Sequence, residues 1–396
     1  MPRIYSLWVH NMKKNQLCFW LLLLILAAWL LSLPASAEDA DETFAEEIPE
    51  EFTDFLDSIP DDIAELLPDG LFSSDSEKVG EAVSEMSDFS YLLQTVLSLI
   101  GANIGECAAI LASVCGLLLL SAICNTLRTS FRSEQVGQAF SFCATLVITV
   151  ALLSQSYRCL ESVTAYFSTL CTVSAAALPI MGVLYAMGGN VATAAAASSG
   201  LSVFMTVLEE IVGKSIIPFC GICMAFALIG AINPSLRTGT LLATLKKNYT
   251  TALAFLMMLL LAMLAAQTTL AARSDSLAMK SAKFAAGNLI PVVGGSVSEL
   301  LRTVSAGVGY LRGTVGICGV LLLVLTLLPT LVELLLMRLV WQLSASLADL
   351  LGCDGEKKLL DEFASLLGYL IAAVSICSSV LFLSLTLLTH CATALG

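Results

Sequence analysis

The stretch Lys280 to Gly295, KSAKFAAGNLIPVVGG, decides how this chain is read. Two lysines lead an apolar, helix-like run into Gly287-Asn288, then Pro291, then the pair Gly294-Gly295. The segments around it are long and greasy, so the interruption falls at or near membrane depth. A bilayer tolerates unpaired backbone N–H and C=O groups only where protein buries them or water reaches them. A Gly-Asn-x-x-Pro break in such a place marks an interface or a polar cavity.

Composition supports the membrane setting. The chain has 396 residues, a mean hydropathy of +0.88, 57% apolar residues and 13% charged ones, too little polar surface to cover a soluble globule. The formal charge of -13 is local. Of the 32 acidic residues, 19 lie between Glu38 and Asp88, where Lys78 is the only base. Beyond Asp88, 15 Lys and Arg meet 13 Asp and Glu, so the remaining body is nearly neutral. Acidity confined to one soluble segment argues against a nucleic-acid partner.

The N-terminus has the layout of a cleavable secretory signal peptide, residues 1–37. Arg3, Lys13 and Lys14 precede an apolar core from about Leu17 to Leu33, and Ala35-Ser36-Ala37 offers the small-residue cleavage site. An uncleaved signal anchor is the rival reading, and both export the residues that follow. Residues 38–90 then form an acidic, extracytoplasmic segment. Within it Phe44, Ile48, Phe52, Phe55, Leu56 and Ile59 recur at helical spacing, as do Val79, Val83 and Met86. This predicts amphipathic helices with acidic outer faces, broken at Pro60 and Pro68, whose apolar side forms a docking surface rather than a disordered linker.

Residues 91–396 read as a polytopic membrane domain, and the fold class is all-α. About eight spans are expected, near 104–125, 136–157, 163–187, 192–208, 215–233, 248–270, 313–332 and 363–388, with 333–349 a less certain ninth. Positive charge orients them only in part. Arg128, Arg132, Arg237, Lys246 and Lys247 suit cytoplasmic loops, but the same count leaves Arg273, Lys280, Lys283, Arg302 and Arg312 on the outer side. Either 192–233 enters and leaves without two full crossings, or the bases of 271–312 face protein.

Enzyme chemistry finds little footing. Cys220-Gly221-Ile222-Cys223 matches a CxxC redox pattern, but it follows Pro218-Phe219 in an apolar span with no strand beside it, which suits buried structural cysteines. The two histidines, His10 and His390, lie at opposite ends of the chain, so no metal site or other cofactor is expected. No phosphate-binding loop, nucleophile elbow or zincin motif occurs. Charges inside or beside apolar runs carry more weight. Glu209, Glu210 and Lys214 suit a short loop between spans, whereas Glu333 and Arg338 have apolar neighbours and are candidates for an internal or interfacial polar contact. Ala192 to Gly200 (ATAAAASSG) and the glycines from Gly307 to Gly319 read as helix-packing faces.

The run Ser281 to Gly295 resembles the most recognisable motif of the stage III sporulation protein AE family, a (T/S)AKF-x-x-GN-x-IP-x-(V/L)-G pattern. Ala177-Leu178-Pro179 with Gly188-Gly189, Gly313 to Gly319 (GTVGICG) and Leu381 to Leu387 (LFLSLTL) are similar to the family as well. The resemblance implies a non-enzymatic component of the channel-like, secretion-like complex that connects mother cell and forespore during endospore formation. It would lie in the mother-cell-derived membrane around the forespore. Its implied partners are other membrane proteins of the same sporulation operon and, indirectly, a partner in the forespore membrane. The positions carried over are Lys283, Phe284, Gly287, Asn288, Ile290, Pro291 and Gly294, as structural or pathway elements, with Asn288 supplying hydrogen bonds to freed backbone groups. From the residues alone, a stand-alone secondary transporter for a small molecule is the other reading, though no paired break in a second half supports it.

Overall fold

The structure is a computed structural model. It describes residues 59–393 apart from 60, 65, 73–75, 129–133, 188–189, 233–237 and 290–293; the signal peptide and the apolar positions from Phe44 to Leu56 lie outside the described residues.

Among the described residues the secondary structure is helical. Four-residue α1 (Asp61–Ala64) begins directly after Pro60, and a 3-10 turn (Asp69–Phe72) follows Pro68, the places where proline favours a helical start. The helix α2 (Ser76–Ser87) packs on that turn. Leu71 and Met86 are fully buried, and Ile59, Ile63, Leu67 and Val83 nearly so. The described end of the acidic segment therefore buries its apolar residues inside its own chain, and Tyr91 locks it down by donating its hydroxyl proton to the Leu66 carbonyl at 2.5 Å.

The body is a set of long rods: α3 (Phe89–Arg128), α4 (Glu134–Met187), α5 (Val191–Val207), α6 (Lys214–Ile232), α7 (Thr238–Leu289), α8 (Gly294–Leu350) and α9 (Asp354–Thr393). Asp88 starts α3, its carboxylate accepting from the Ser90 hydroxyl at 2.7 Å and the Ser90 amide at 3.3 Å. Leu, Ala, Val and Met fill the interiors, and the prolines at Pro179, Pro218 and Pro329 are carried inside helices, as membrane helices allow. Among the described residues, five stretches are long and apolar enough to cross a bilayer: Phe89–Ile123, Val191–Ala231, Thr238–Ala278, Cys318–Leu350 and Asp354–Thr386.

The rods are fewer and longer than the eight expected segments. Segments 136–157 and 163–187 are one continuous helix, α4, and Arg158 and Glu161 sit in its middle rather than in a loop. Segments 192–208 and 215–233 join through a π turn, Leu208–Gly213, so Glu209, Glu210 and Lys214 are not in a loop either. There Lys214 reaches back one turn to Glu210 at 2.5 Å. Segments 313–332 and 333–349 both belong to α8. A charged residue costs an exposed helix little, so charge alone did not mark an end of helix.

The helices α8 and α9 form the centre. In the most apolar stretch of each, 67% of residues are buried inside the chain, against 17% in α3 and α7. Small residues let α5 approach α7, where a methyl group added at Gly200 would run into Leu264 and Gln267.

Candidate functional site

Charged side chains in membrane helices are the natural place to look for function, because hydrocarbon rejects them unless protein or water receives them. Three ionisable groups on three rods converge halfway along the body. Arg158 of α4 donates to Glu106 of α3, which lies near the middle of its apolar span. Glu333, near the middle of the α8 span, lies beside this pair and accepts a hydrogen bond from the Ser162 hydroxyl, one turn beyond Arg158 on α4. Two carboxylates thus lie near one guanidinium, which pairs directly with Glu106. The Arg158 and Glu106 side chains are 55% and 49% exposed, so the cluster opens onto the outside of the single chain.

Arg338 is not part of it. At 100° per residue, five residues turn a helix by about 140°, so Glu333 and Arg338 leave α8 on different sides. Glu333 faces α4, whereas the Arg338 guanidinium lies flat against α9 at Gly368, where an added Cβ would sit 3.0 Å from its Cζ. Both residues make internal contacts, and they make them separately.

Two further polar contacts tie the rods together. Asp275 of α7 is buried, and its carboxylate accepts from the Ala192 amide at 3.0 Å and from the Thr193 amide and hydroxyl at 2.7 Å each. It does for α5 what an N-cap side chain does, from another helix; Asn190, the residue in the capping position, makes no side-chain cap bond. Lys246, also on α7, is buried and donates to Glu362 at 3.2 Å and to Ser365 at 3.1 Å on α9. Nearby, Phe219 of α6 stacks on Tyr249 with ring centroids 4.3 Å apart, and Tyr369 of α9 closes the aromatic group.

Of the residues carried over from the motif, Ile290 and Pro291 lie outside the described residues, and the side chains of Lys283, Phe284 and Asn288 do as well. Within the described residues the helix runs through Gly287 and Asn288 to Leu289, so Gly287-Asn288 is helical, and the next described helix begins at Gly294. Gly and Asn only weaken a helix by about 1 kcal/mol or less each. Cys220 and Cys223 are both free and buried, one turn apart on α6.

Sequence reasoning overlooked Glu106, Arg158, Ser162, Asp275 and Glu362. Glu106 and Asp275 carried a signal, a lone acid within an apolar helix. Their partners are 52 and more than 80 residues away along the chain, a distance that a single sequence does not bridge.

Long apolar rods joined by ion pairs between helices and a carboxylate cap from a neighbouring helix define a multi-pass helical membrane protein. The family model described as stage III sporulation protein AE matches residues 77–392, nearly all of that body, and the chain belongs to this family. It is 25% identical over 301 residues to the stage III sporulation protein AE of Bacillus subtilis (strain 168), an alignment covering 76% of this chain and 73% of that one. No solved structure matches the chain. Family membership gives it a role in sporulation.

Proposed function

We propose that this protein is a non-enzymatic membrane component of the channel complex that links mother cell and forespore, seated in the membrane around the forespore. The acidic N-terminal segment is then extracytoplasmic, and the partners are other membrane proteins made from the same sporulation operon. The observation that carries this reading is the family match across residues 77–392. The Glu106–Arg158–Glu333 cluster supports it, since ionisable groups gathered at mid-span suit a protein that handles polar cargo or polar partners rather than one that only fills a bilayer. The burial of Cys220 and Cys223 supports the non-enzymatic part, because a thiol that exchanges with a substrate disulfide must be reached by it.

The test is deletion of the gene in its endospore-forming host, with isolation of the tagged protein from sporulating cells. Loss of heat-resistant spores after engulfment, together with co-isolation of membrane proteins encoded beside it, is the expected result. Normal spore yield would sink the reading. Uptake of a small solute by the purified chain alone in liposomes would replace it with a transporter.

A further inference from the structure

The outward face of α4 is polar along a membrane-length stretch. Ser154, Arg158, Glu161, Ala165, Ser168 and Thr172 are all exposed, and they recur at intervals of four and three residues along a single stripe. Such a stripe stays on one side of a helix. From Ser154 to Thr172 it is about 27 Å long, close to the roughly 30 Å thickness of a bilayer's hydrocarbon core.

Its depth is set by the partners of Arg158, on the stripe itself, and of residues on the other sides of α4. Arg158 meets Glu106, Ser162 meets Glu333, Tyr166 meets Ser378 at 2.5 Å and the Cys171 thiol points at the Met205 carbonyl at 3.7 Å. All four partners lie inside apolar spans, on α3, α8, α9 and α5. The stripe is therefore level with the spans. The outward face of α7 is hydrocarbon by contrast, with Phe255, Met258 and Leu270 each 68% exposed or more.

Hydrocarbon is a poor cover for the α4 stripe. Glu161 is exposed and has no ion-pair partner among the described residues, and the Arg158–Glu106 pair is half open. We propose that the α4 stripe, with Glu106 of α3 beside it, faces water inside the membrane, in a polar path. This deepens the channel reading and rests on it, by naming the wall of the path.

The test uses the full-length chain in membranes from sporulating cells. In a cysteine-free variant, S154C and S168C should react with a charged, membrane-impermeant thiol reagent at least tenfold faster than L259C on the outward face of α7 and V163C on the buried side of α4. Rates equal to L259C would overturn the proposal. Cysteine removal touches several buried positions, so a second measurement leaves the native chain intact. Hydroxyl-radical footprinting should modify Tyr157, at 59% exposure, and spare Met258, at 71%. Protection of Tyr157 alongside Met258 would overturn the wet face independently. A dry stripe in a strain whose deletion still blocks sporulation would reject this inference while leaving the proposed function standing.

Discussion

The two outward faces of this molecule, on α4 and α7, run through the same depth of the body and differ in every property that matters to a solvent. The α7 face offers Phe255, Met258, Leu259 and Leu270, and with Leu383 of α9 it forms a shallow apolar trough. The α4 face offers Ser154, Arg158, Glu161, Ser168 and Thr172. Overall hydropathy averages these surfaces and so conceals them. What covers a membrane helix is decided side by side, residue by residue: acyl chains suit the first face, water or polar protein the second.

The largest effect should come from exchanging that character. Met258→Glu places a carboxylate in lipid, at a cost of roughly 3 kcal/mol near the centre of a helix, and should sharply lower the amount of chain recovered in membranes. Ser168→Glu should leave recovery near wild type. Equal losses would break the comparison, because they would mean that lipid covers both faces.

Next come the contacts that hold the faces apart. Asp275→Ala removes three hydrogen bonds from the first turn of α5 and should destabilise the detergent-solubilised chain by about 2 kcal/mol, the upper range for loss of a cap. Proteolysis around residues 188–192 should rise with it, and unchanged melting would show that α5 is held by packing alone. Lys246→Met should cost less, roughly 1 kcal/mol, as interhelical polar contacts in membranes commonly do. A double variant with Glu362→Leu should recover part of that loss, and simple addition of the two losses would deny the pairing.

The smallest expected effect is at Asp88, at the head of α3 and away from both faces. The Ser90 hydroxyl, and after it the Ser90 amide, hold the Asp88 carboxyl below its ordinary range. A carboxyl lowered by folding adds stability above its ordinary titration range and loses it as pH falls through the lowered one. Asp88→Ala should therefore lower the melting temperature slightly at neutral pH and not at the acid end. An identical shift at both ends would remove the capping role.

Much of the fold was legible in the sequence, and the reason lies in composition. Leu, Ala and Val runs of spanning length leave the backbone no alternative to helix in lipid, so the all-helical body could be read directly. The joints were harder to see. Arg158-Cys159-Leu160-Glu161 falls in the gap between two expected spans and Glu209 to Lys214 suits a loop, since charge favours water at a helix end, yet α4 runs straight through the first and a π turn carries the helix through the second. Glu333 was recognised for its apolar neighbours, and its partners were not, since Ser162 and Arg158 are ordinary residues until folding brings α4 against α8. Arg338 was grouped with Glu333 by closeness along the chain, and helical rotation separates them.

The length of α8 has a mechanical consequence. Its 57 residues form one rod, among whose described residues Cys318–Leu350 is an apolar span, and Pro329 sits within that span. Proline removes a backbone hydrogen bond and so weakens the rod's stiffness at that point. The arm from Pro329 to Gly294 is about 50 Å long, so each 10° of flexing at the proline sweeps its far end, next to the Gly-Asn-x-x-Pro motif, through about 9 Å. A displacement of one or two ångströms in the packed centre would be amplified there, as by a lever pivoting on its fulcrum.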